Sequence, residues 1–506
     1  QRQSPIGGRR VLVIGAGEAG SLVVKEMLAN PQLEMEPVAF VDDDPAKVGT
    51  HIQNLPVIGT CQEIERLVNT YQIHRLVVAL PSAPLSRQKA IIQTCRQTGR
   101  TIYSLPGVYE LLAGHKTISH LPQVDIQRLL QREPVDIDHT EVSALLRGAT
   151  VLVTGAGGSI GSELCRQIAR CRPKAVVLLG HGENSIFEIS LDLRLTFPDL
   201  VTYPAIVDVR DKARVDRTIK QYKPDIIFHA AAHKHVPFMQ ENTEEALTNN
   251  VQGTQNVLEA AEAHGVKRFL LISTDKAVNP TSVMGATKRL AELLVIGTAQ
   301  RTGRAYMAVR FGNVLGSRGS VIPIFQRQIA AGGPVTITHP DMERYFMTIP
   351  EAVQLVLQSI VLGRGGEVFV LDMGHQVRIE TLAADLIKLS GLELGRDIDI
   401  VYSGIRPGEK LREELFLDNE TYSRTRHQKI FIARDAVQVE LEPLKRAIRK
   451  LINVARAPYP PVTDSHEEYL IVRLNQVIKQ YQPYRNGQRR PINPRTVTSD
   501  TVPKLV

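Results

Sequence analysis

The stretch Ala149-Thr-Val-Leu-Val-Thr154-Gly155-Ala-Gly157-Gly158-Ser159-Ile160-Gly161-Ser-Glu-Leu-Cys-Arg-Gln-Ile168 leaves a chain few folds to choose from. A β-branched apolar run passes through glycines into residues with helical apolar spacing, and a second apolar run, Ala175-Val-Val-Leu-Leu179, follows. That succession predicts a β-α-β unit. Gly155 permits a tight turn, Gly158 lets backbone N–H groups approach a pyrophosphate, and Gly161 lets helix pack on strand. A mere glycine turn would not need a strand on either side and a helix between. Arg9-Arg10-Val-Leu-Val-Ile14-Gly15-Ala-Gly17-Glu-Ala-Gly20 repeats the signature, and Pro37-Val-Ala-Phe-Val-Asp42 ends a second strand in acids. Alternating elements then run through 75–79 and 101–104. The fold class predicted is α/β, with two Rossmann-like doubly wound parallel-sheet domains, the second carrying a small substrate-binding subdomain.

A second constellation sits at Ser273-Thr274-Asp275-Lys276, continuing through Asn279-Pro280-Thr281 to Met284 and Lys288. Arg268-Phe-Leu-Leu-Ile-Ser273 has strand length, and residues 289–295 have helical apolar spacing, so these polar residues occupy a strand end, a loop and a helix start. Carboxyl ends of strands are where open α/β sheets place ligands and chemistry. The bland alternative is a solvated loop with an ordinary exposed lysine on the next helix.

The two stretches together resemble the extended short-chain dehydrogenase/reductase superfamily, in which Thr-Gly-x-x-Gly-x-x-Gly binds NAD(P) and a Tyr-x-x-x-Lys pair promotes hydride transfer. Here Met284 stands where the Tyr would be, with Lys288 in the expected place. Thr274-Asp275-Lys276, Asn279-Pro280-Thr281 and Met284 through Lys288-Arg289 resemble a narrower group, the membrane-associated UDP-N-acetylglucosamine 4,6-dehydratases of bacterial polysaccharide and glycan biosynthesis, the CapD-like family. That resemblance runs from about residue 8 to about residue 435.

It implies a tightly bound, recycled NAD, with NADP also open, and UDP-N-acetylglucosamine as substrate. Asp275 would be the acid for the departing C6 hydroxyl, Lys276 the C5 base, and Thr274 would take part in C4 deprotonation. Met284 would contribute shape, beside Lys288. A neutral Lys276 is favoured by burial beside Lys288 and disfavoured by Asp275, and the sequence does not say which wins. For the cofactor the resemblance points to Gly155, Gly158, Ser159, Ile160 and Gly161, to Asp208 and Val209 at the adenine, and to Ala230 and Ala231, small enough for close passage. Gly180 occupies the usual place of the ribose acid, with Glu183 a few residues late and no Arg beside it for a 2′-phosphate, which leans towards NAD. For the substrate it points to His233, Lys234 and His235, to Asn313, and to Arg406 and Glu409; Arg344 leaves phosphate capture and a surface salt bridge both open. Asn249 and Asn250 would open a helix facing the cofactor. Two histidines at i, i+2 on a loop are insufficient for a metal.

Domain expectations follow: 1–122, a CoA-binding-like Rossmann domain; 123–148, a linker with one short helix at about 126–132; 149–435, the catalytic domain. Helices at 444–454 and 467–481 would form an extension over 436–485, and 486–506 a disordered tail. No proton-transfer constellation accompanies Gly15 and Gly17, so the first domain is read as structural or regulatory rather than a second redox site. In 506 residues, 43% hydrophobic and 23% charged content excludes disorder for most of the chain. The charge of +8 is spread along the sequence without a nucleic-acid motif. Cys61, Cys95, Cys165 and Cys171 form no paired or metal spacing and read as reduced thiols of a cytosolic compartment. No apolar run reaches the ~18 residues of a membrane span. The chain opens on Gln1, and the resemblance implies transmembrane helices ahead of it, the cytoplasmic face of the inner membrane, and a homo-oligomer. A UDP-sugar C4-epimerase, sharing fold and cofactor, and a non-catalytic nucleotide-binding scaffold are the rival readings.

Overall fold

The structure is a computed structural model that describes residues 9–30, 35–80, 83, 85–104, 139–390, 392–417, 421–434, 438–457, 466–478 and 480–483. The helix expected at 126–132 and the tail expected at 486–506 lie outside the described residues. The chain divides into two units: Gln1–Arg132 with Phe325–Thr336 and Thr381–Val401, and Glu133–Ile324 with Ile337–Glu380 and Tyr402–Val506.

In the first unit a parallel four-stranded sheet runs in the order Met35–Val41, Arg9–Ile14, Arg75–Val78, Thr101–Ser104. Central parallel strands are covered on both faces, which is why Val11-Leu12-Val13-Ile14 is apolar without alternation. Val11 and Val13 face Val23, Val24 and Met27 of the helix Glu18–Ala29, while Leu12 and Ile14 join Ile64, Leu67, Ile91 and Ile92 on the other side. The acid ending the second strand is occupied by its own chain: Asp42 accepts from the Ala16 amide at 2.7 Å and from Lys47 Nζ at 3.2 Å.

The second unit is built on a nine-stranded sheet. From one edge run Thr202–Ile206, Ala175–Gly180, Thr150–Thr154, Ile226–His229, Arg268–Ile272, Ala305–Arg310 and Val368–Leu371, all parallel; Ile430–Arg434 then pairs antiparallel with Val368–Leu371, and Thr421–Arg424 pairs antiparallel with Ile430–Arg434. Strand order reverses between Thr150–Thr154 and Ile226–His229, and such a switch point opens a crevice at the carboxyl ends of the strands. Two apolar layers sandwich the sheet. One takes in Leu152, Phe269, Leu290 and Val295, the other Val151, Val153, Leu164 and Val356. The helix Val283–Thr302 is buried along most of its circumference, so its Lys288, Arg289 and Glu292 are interior charges.

Two segments expected outside the catalytic domain contribute to these layers. The helix His139–Leu146, within the expected linker, buries Val142 and Leu146 one turn apart beside Val151 and Leu164. The expected extension supplies Leu441–Arg456 and His466–Val477, whose Leu444, Ile448, Leu451, Leu470 and Leu474 belong to the layer containing Leu290. The second unit's core therefore begins before residue 149 and continues past 435. Among the described residues no helix is long and apolar enough to cross a membrane.

Candidate active site

The carboxyl ends of the parallel strands surround a cavity of about 590 Å³, within the usual range for ligand sites. Gly155, Gly158, Ser159, Ile160 and Gly161 line it. Gly155 has φ +65°, and a Cβ there would lie 2.8 Å from the Ala231 amide nitrogen. A Cβ on Gly161 would lie 2.1 Å from the Gly155 carbonyl oxygen, so the helix Ser159–Arg170 sits on the turn at a distance only glycine allows. Gly158 precedes this helix, and among the described residues no side chain caps it, which leaves its N-terminal amides and dipole without a side-chain partner.

A buried polar relay fixes the neighbouring strand. His229 stands between Thr154 Oγ1 at 2.7 Å and Thr254 Oγ1 at 2.9 Å, and burial, aided by Lys288, pushes its pKa down to about 3. The imidazole is therefore neutral. Thr254 belongs to a continuous helical run in which Leu247–Gln252 is a π-helical turn. Asn249 and Asn250 do not open a helix as expected; they occupy this mid-helix bulge, a feature frequent at functional sites. The turn buries Asn250, whose carboxamide accepts from the His233 amide at 2.8 Å and donates to the His233 carbonyl at 3.0 Å. That clamps the start of the His233-Lys234-His235 loop.

Thr274, Asp275 and Lys276 follow the strand Arg268–Ile272 in a single 3-10 turn, Asp275–Ala277. Asp275 is fully buried; its Oδ1 accepts from Thr274 Oγ1 at 2.8 Å and from Lys276 Nζ at 3.0 Å. Its Oδ2 has no hydrogen-bond partner among the described residues. Burial raises the Asp275 pKa, Glu413 adds to this, and Lys276 only partly opposes it. Lys276 Nζ also meets Asn313 Oδ1 at 3.1 Å and Glu413 Oε1 at 3.3 Å. Burial alone would lower its pKa, but Asp275 and Glu413 outweigh burial and raise it. The cation opposing them is Arg344, not the Lys288 expected from the sequence. Lys288 instead donates to the Ile272 carbonyl at 2.6 Å, and burial lowers its pKa to about 8. Met284, 2% exposed, presents a thioether to the same cavity.

The expected substrate residues divide. Lys234 lines the cavity and donates to Ser317 Oγ at 3.1 Å, its pKa lowered by burial and then by Lys276. His235 is there beside Gly319; the His233 ring bonds Glu245 at 2.9 Å. Asn313 has its side-chain oxygen on Lys276. Arg344 is neither at the surface nor holding a free guanidinium: 8% exposed, it donates to the Glu343 and Leu411 carbonyls and pairs with Glu413 at 3.7 Å. Arg406 is exposed at the cavity mouth, with Nε and Nη2 on Glu409 Oε1 at 3.1 and 2.6 Å. Of the expected cofactor residues, Ala230 lines the cavity, whereas Ala231, Glu183, Asp208 and Val209 stand at neighbouring strand ends outside its lining. Asp208 is bound by Arg210 at 2.6 Å, and Arg210 continues to Glu245 at 2.7 Å. Arg210 and Glu413 were not among the residues expected from the sequence.

Residues 151–435 match the family described as polysaccharide biosynthesis protein, and residues 2–106 match a CoA-binding domain. The chain belongs to the polysaccharide biosynthesis protein family. It is 47% identical over 426 residues to the capsular polysaccharide biosynthesis protein CapD of Staphylococcus aureus, covering 84% of this chain and 71% of that one. A UDP-N-acetylglucosamine 4,6-dehydratase (inverting) of Campylobacter jejuni is 32% identical over 55% of this chain and 80% of its own. A UDP-glucose 4-epimerase of Rickettsia akari is 36% identical over 53% of this chain and 77% of its own. The chain is thus a short-chain dehydrogenase/reductase of the nucleotide-sugar dehydratase and epimerase group.

Proposed function

We propose that the chain is a nucleotide-sugar 4,6-dehydratase that converts UDP-N-acetylglucosamine to a UDP-4-keto-6-deoxy sugar with a retained NAD, NADP being the alternative. The observation that carries this reading is Asp275: a fully buried carboxyl whose pKa is raised by its burial, 3.0 Å from an amine at a strand end. An acid beside a base suits an elimination, in which a C5 proton and a C6 hydroxyl leave together. A C4-epimerase, favoured by the Rickettsia relative's identity, has no such need and would want a phenol where Met284 stands.

Gly155, Gly158 and Gly161 with the uncapped amides after Gly158 would hold the dinucleotide pyrophosphate. The chemistry that a bound nicotinamide would supply is acceptance of hydride from sugar C4 and its return at C6. Thr274 assists loss of the C4 hydroxyl proton, for which its hydroxyl is already oriented by Asp275. The resulting ketone acidifies C5. Lys276, after releasing its ammonium proton to solvent water, takes the C5 proton, and Asp275 protonates the departing C6 hydroxyl as water. Lys288, tied to the end of the Thr274 strand, orients the cofactor side. Lys234, Arg406 and His235 line the part of the cavity suited to a diphosphate. The membrane-face location and the homo-oligomer stay within this proposal and rest on the family resemblance. Incubation with UDP-N-acetylglucosamine followed by mass spectrometry tests the function: loss of one water supports it, an isobaric product indicates the epimerase, and unchanged sugar indicates the scaffold.

Two further outcomes are expected. Met284→Ala should keep substantial turnover, because a thioether contributes shape and cannot accept a proton. Activity lost as completely as in Lys288→Ala, with folding intact, would overturn that assignment. Replacing Gly158 by valine should strip the purified protein of nicotinamide, since the side chain enters the cavity the residue lines. The same change at Gly17, where a Cβ meets nothing within 4 Å, should leave cofactor content and turnover largely intact. Absorbance of the nucleotide released on denaturation reads both, and loss in the Gly17 variant alone would reverse the roles given to the two glycine loops.

A further inference from the structure

The cluster around Lys276 contains a carboxylate that no step above uses. Glu413 is 4% exposed and lines the cavity, its Oε1 3.3 Å from Lys276 Nζ and 3.7 Å from Arg344 Nε, while its Oε2 has no hydrogen-bond partner among the described residues. Lys276 Nζ thereby faces three oxygens: Asp275 Oδ1 at 3.0 Å, Asn313 Oδ1 at 3.1 Å and Glu413 Oε1. An ammonium has three N–H donors and a neutral amine two, so this arrangement is complete only for the charged form. The other charges acting on the pair are Arg344 and Lys234 near Lys276, and Arg344, Lys410 and Asp275 near Glu413. A buried acid of this kind needs a reason, because a carboxylate leaving water with one oxygen unserved costs more than the pairing of the other returns.

We propose that Glu413 is a positioning residue for Lys276: it completes a three-oxygen cradle that holds the amine as an oriented ammonium until the step that requires a base. The role of Lys276 in that later step rests on the dehydratase reading; the cradle does not. Two features agree with it. The Lys276 pKa is raised although burial opposes this, and the Glu413 pKa is lowered against its own burial by Lys276, then Arg344 and Lys410. Removing the Glu413 charge should therefore free the amine at lower pH.

The test is reductive methylation of the folded chain with formaldehyde and a borane, following the Lys276 peptide by mass spectrometry across neutral to alkaline pH. In the wild type the labelling rate should keep rising to the top of the range. In Glu413→Gln the curve should level off at least about one pH unit lower, with labelling at neutral pH about tenfold faster, one unit being a factor of ten in free amine. Glu413→Asp, which keeps the charge, should return the curve to the wild-type form. A Glu413→Gln curve that coincides with wild type overturns the proposal. So does a faster curve of unchanged shape, which reports exposure rather than charge, and so does a Glu413→Gln chain without a cooperative melt, which makes the residue a core element. No nucleotide sugar is present in this experiment, so failure of the dehydration assay and failure of the cradle are read separately.

Discussion

Asp275→Asn and Lys276→Ala are each expected to lower dehydration about 10²–10⁴-fold, the usual worth of a positioned acid or base, while reduced nicotinamide still accumulates when substrate is added. Oxidation at C4 precedes the steps assigned to either group, so the half-reaction survives and the product, one water lighter, does not form. The two variants separate at C5. With Lys276 present, Asp275→Asn can still remove the C5 proton and admit solvent deuterium into unreacted sugar; Lys276→Ala should not. Rapid C5 exchange in Lys276→Ala would show that another group is the base. Their stabilities should differ as well. Asparagine is isosteric with the buried acid, whereas Lys276→Ala removes the cation between Asp275 and Glu413 and leaves two buried carboxyls facing each other. A thermal melt of each variant therefore accompanies the kinetics, with the larger drop expected for Lys276→Ala.

The features legible in the sequence are those for which one residue type meets a backbone requirement. Gly155 at φ +65° and Gly161 against the Gly155 carbonyl tolerate no side chain, so their spacing announces the turn and helix before any contact is known. Thr274, Asp275 and Lys276 were legible because an apolar strand ends immediately before them. Glu413 was not. It lies in Arg406-Pro-Gly-Glu-Lys-Leu-Arg-Glu-Glu414, a charged run whose order marks no inward-facing residue, yet its side chain is 3% exposed and that of Arg412 is 71% exposed. Which carboxylate turns inward depends on where Lys276 and Arg344 lie, and these are distant in sequence. The helix His139–Leu146 escaped for a related reason: Val142 and Leu146 form too short an apolar stripe to signal a helix until the face they cover exists. The π-turn at Leu247–Gln252 carries no sequence mark, because an i→i+5 turn is a matter of backbone bonding and uses the same residue types as the helix around it. At the other end, the Gln482 amide donates to the Pro280 carbonyl at 3.0 Å, so a segment expected to be peripheral holds the loop between Lys276 and Met284.

Glu292→Gln is expected to destabilise the second unit by about 3–5 kcal/mol at neutral pH, the cost of breaking a buried ion pair from one side. Glu292 is fully buried, and its carboxylate accepts from Ser273 Oγ at 2.6 Å, from Arg310 Nε at 2.9 Å and Nη2 at 2.8 Å, and from Arg289 Nη1 at 3.0 Å. Two guanidiniums share this anion in the interior, so glutamine keeps the shape and removes the charge that both of them face. Burial alone would raise the Glu292 pKa, but Arg310 and then Arg289 pull it down to about 2 from an ordinary 4.5. A carboxyl depressed on folding contributes stability that is fully present above its unfolded pKa and is lost as pH falls through its folded one. The gap between wild type and Glu292→Gln in urea unfolding should therefore be constant from neutral pH down to about 5 and close progressively between about 4.5 and 2. A gap that stayed constant through that acid window would show that the loss comes from packing rather than charge. The same variant reaches the active site through one bond: Ser273 Oγ binds Glu292 and the next residue is Thr274, so releasing it frees the strand end that aims Thr274, Asp275 and Lys276. Turnover should fall together with stability, and a variant that lost the expected stability with full turnover would show that the Thr274 turn holds its shape without the charge cluster beneath it.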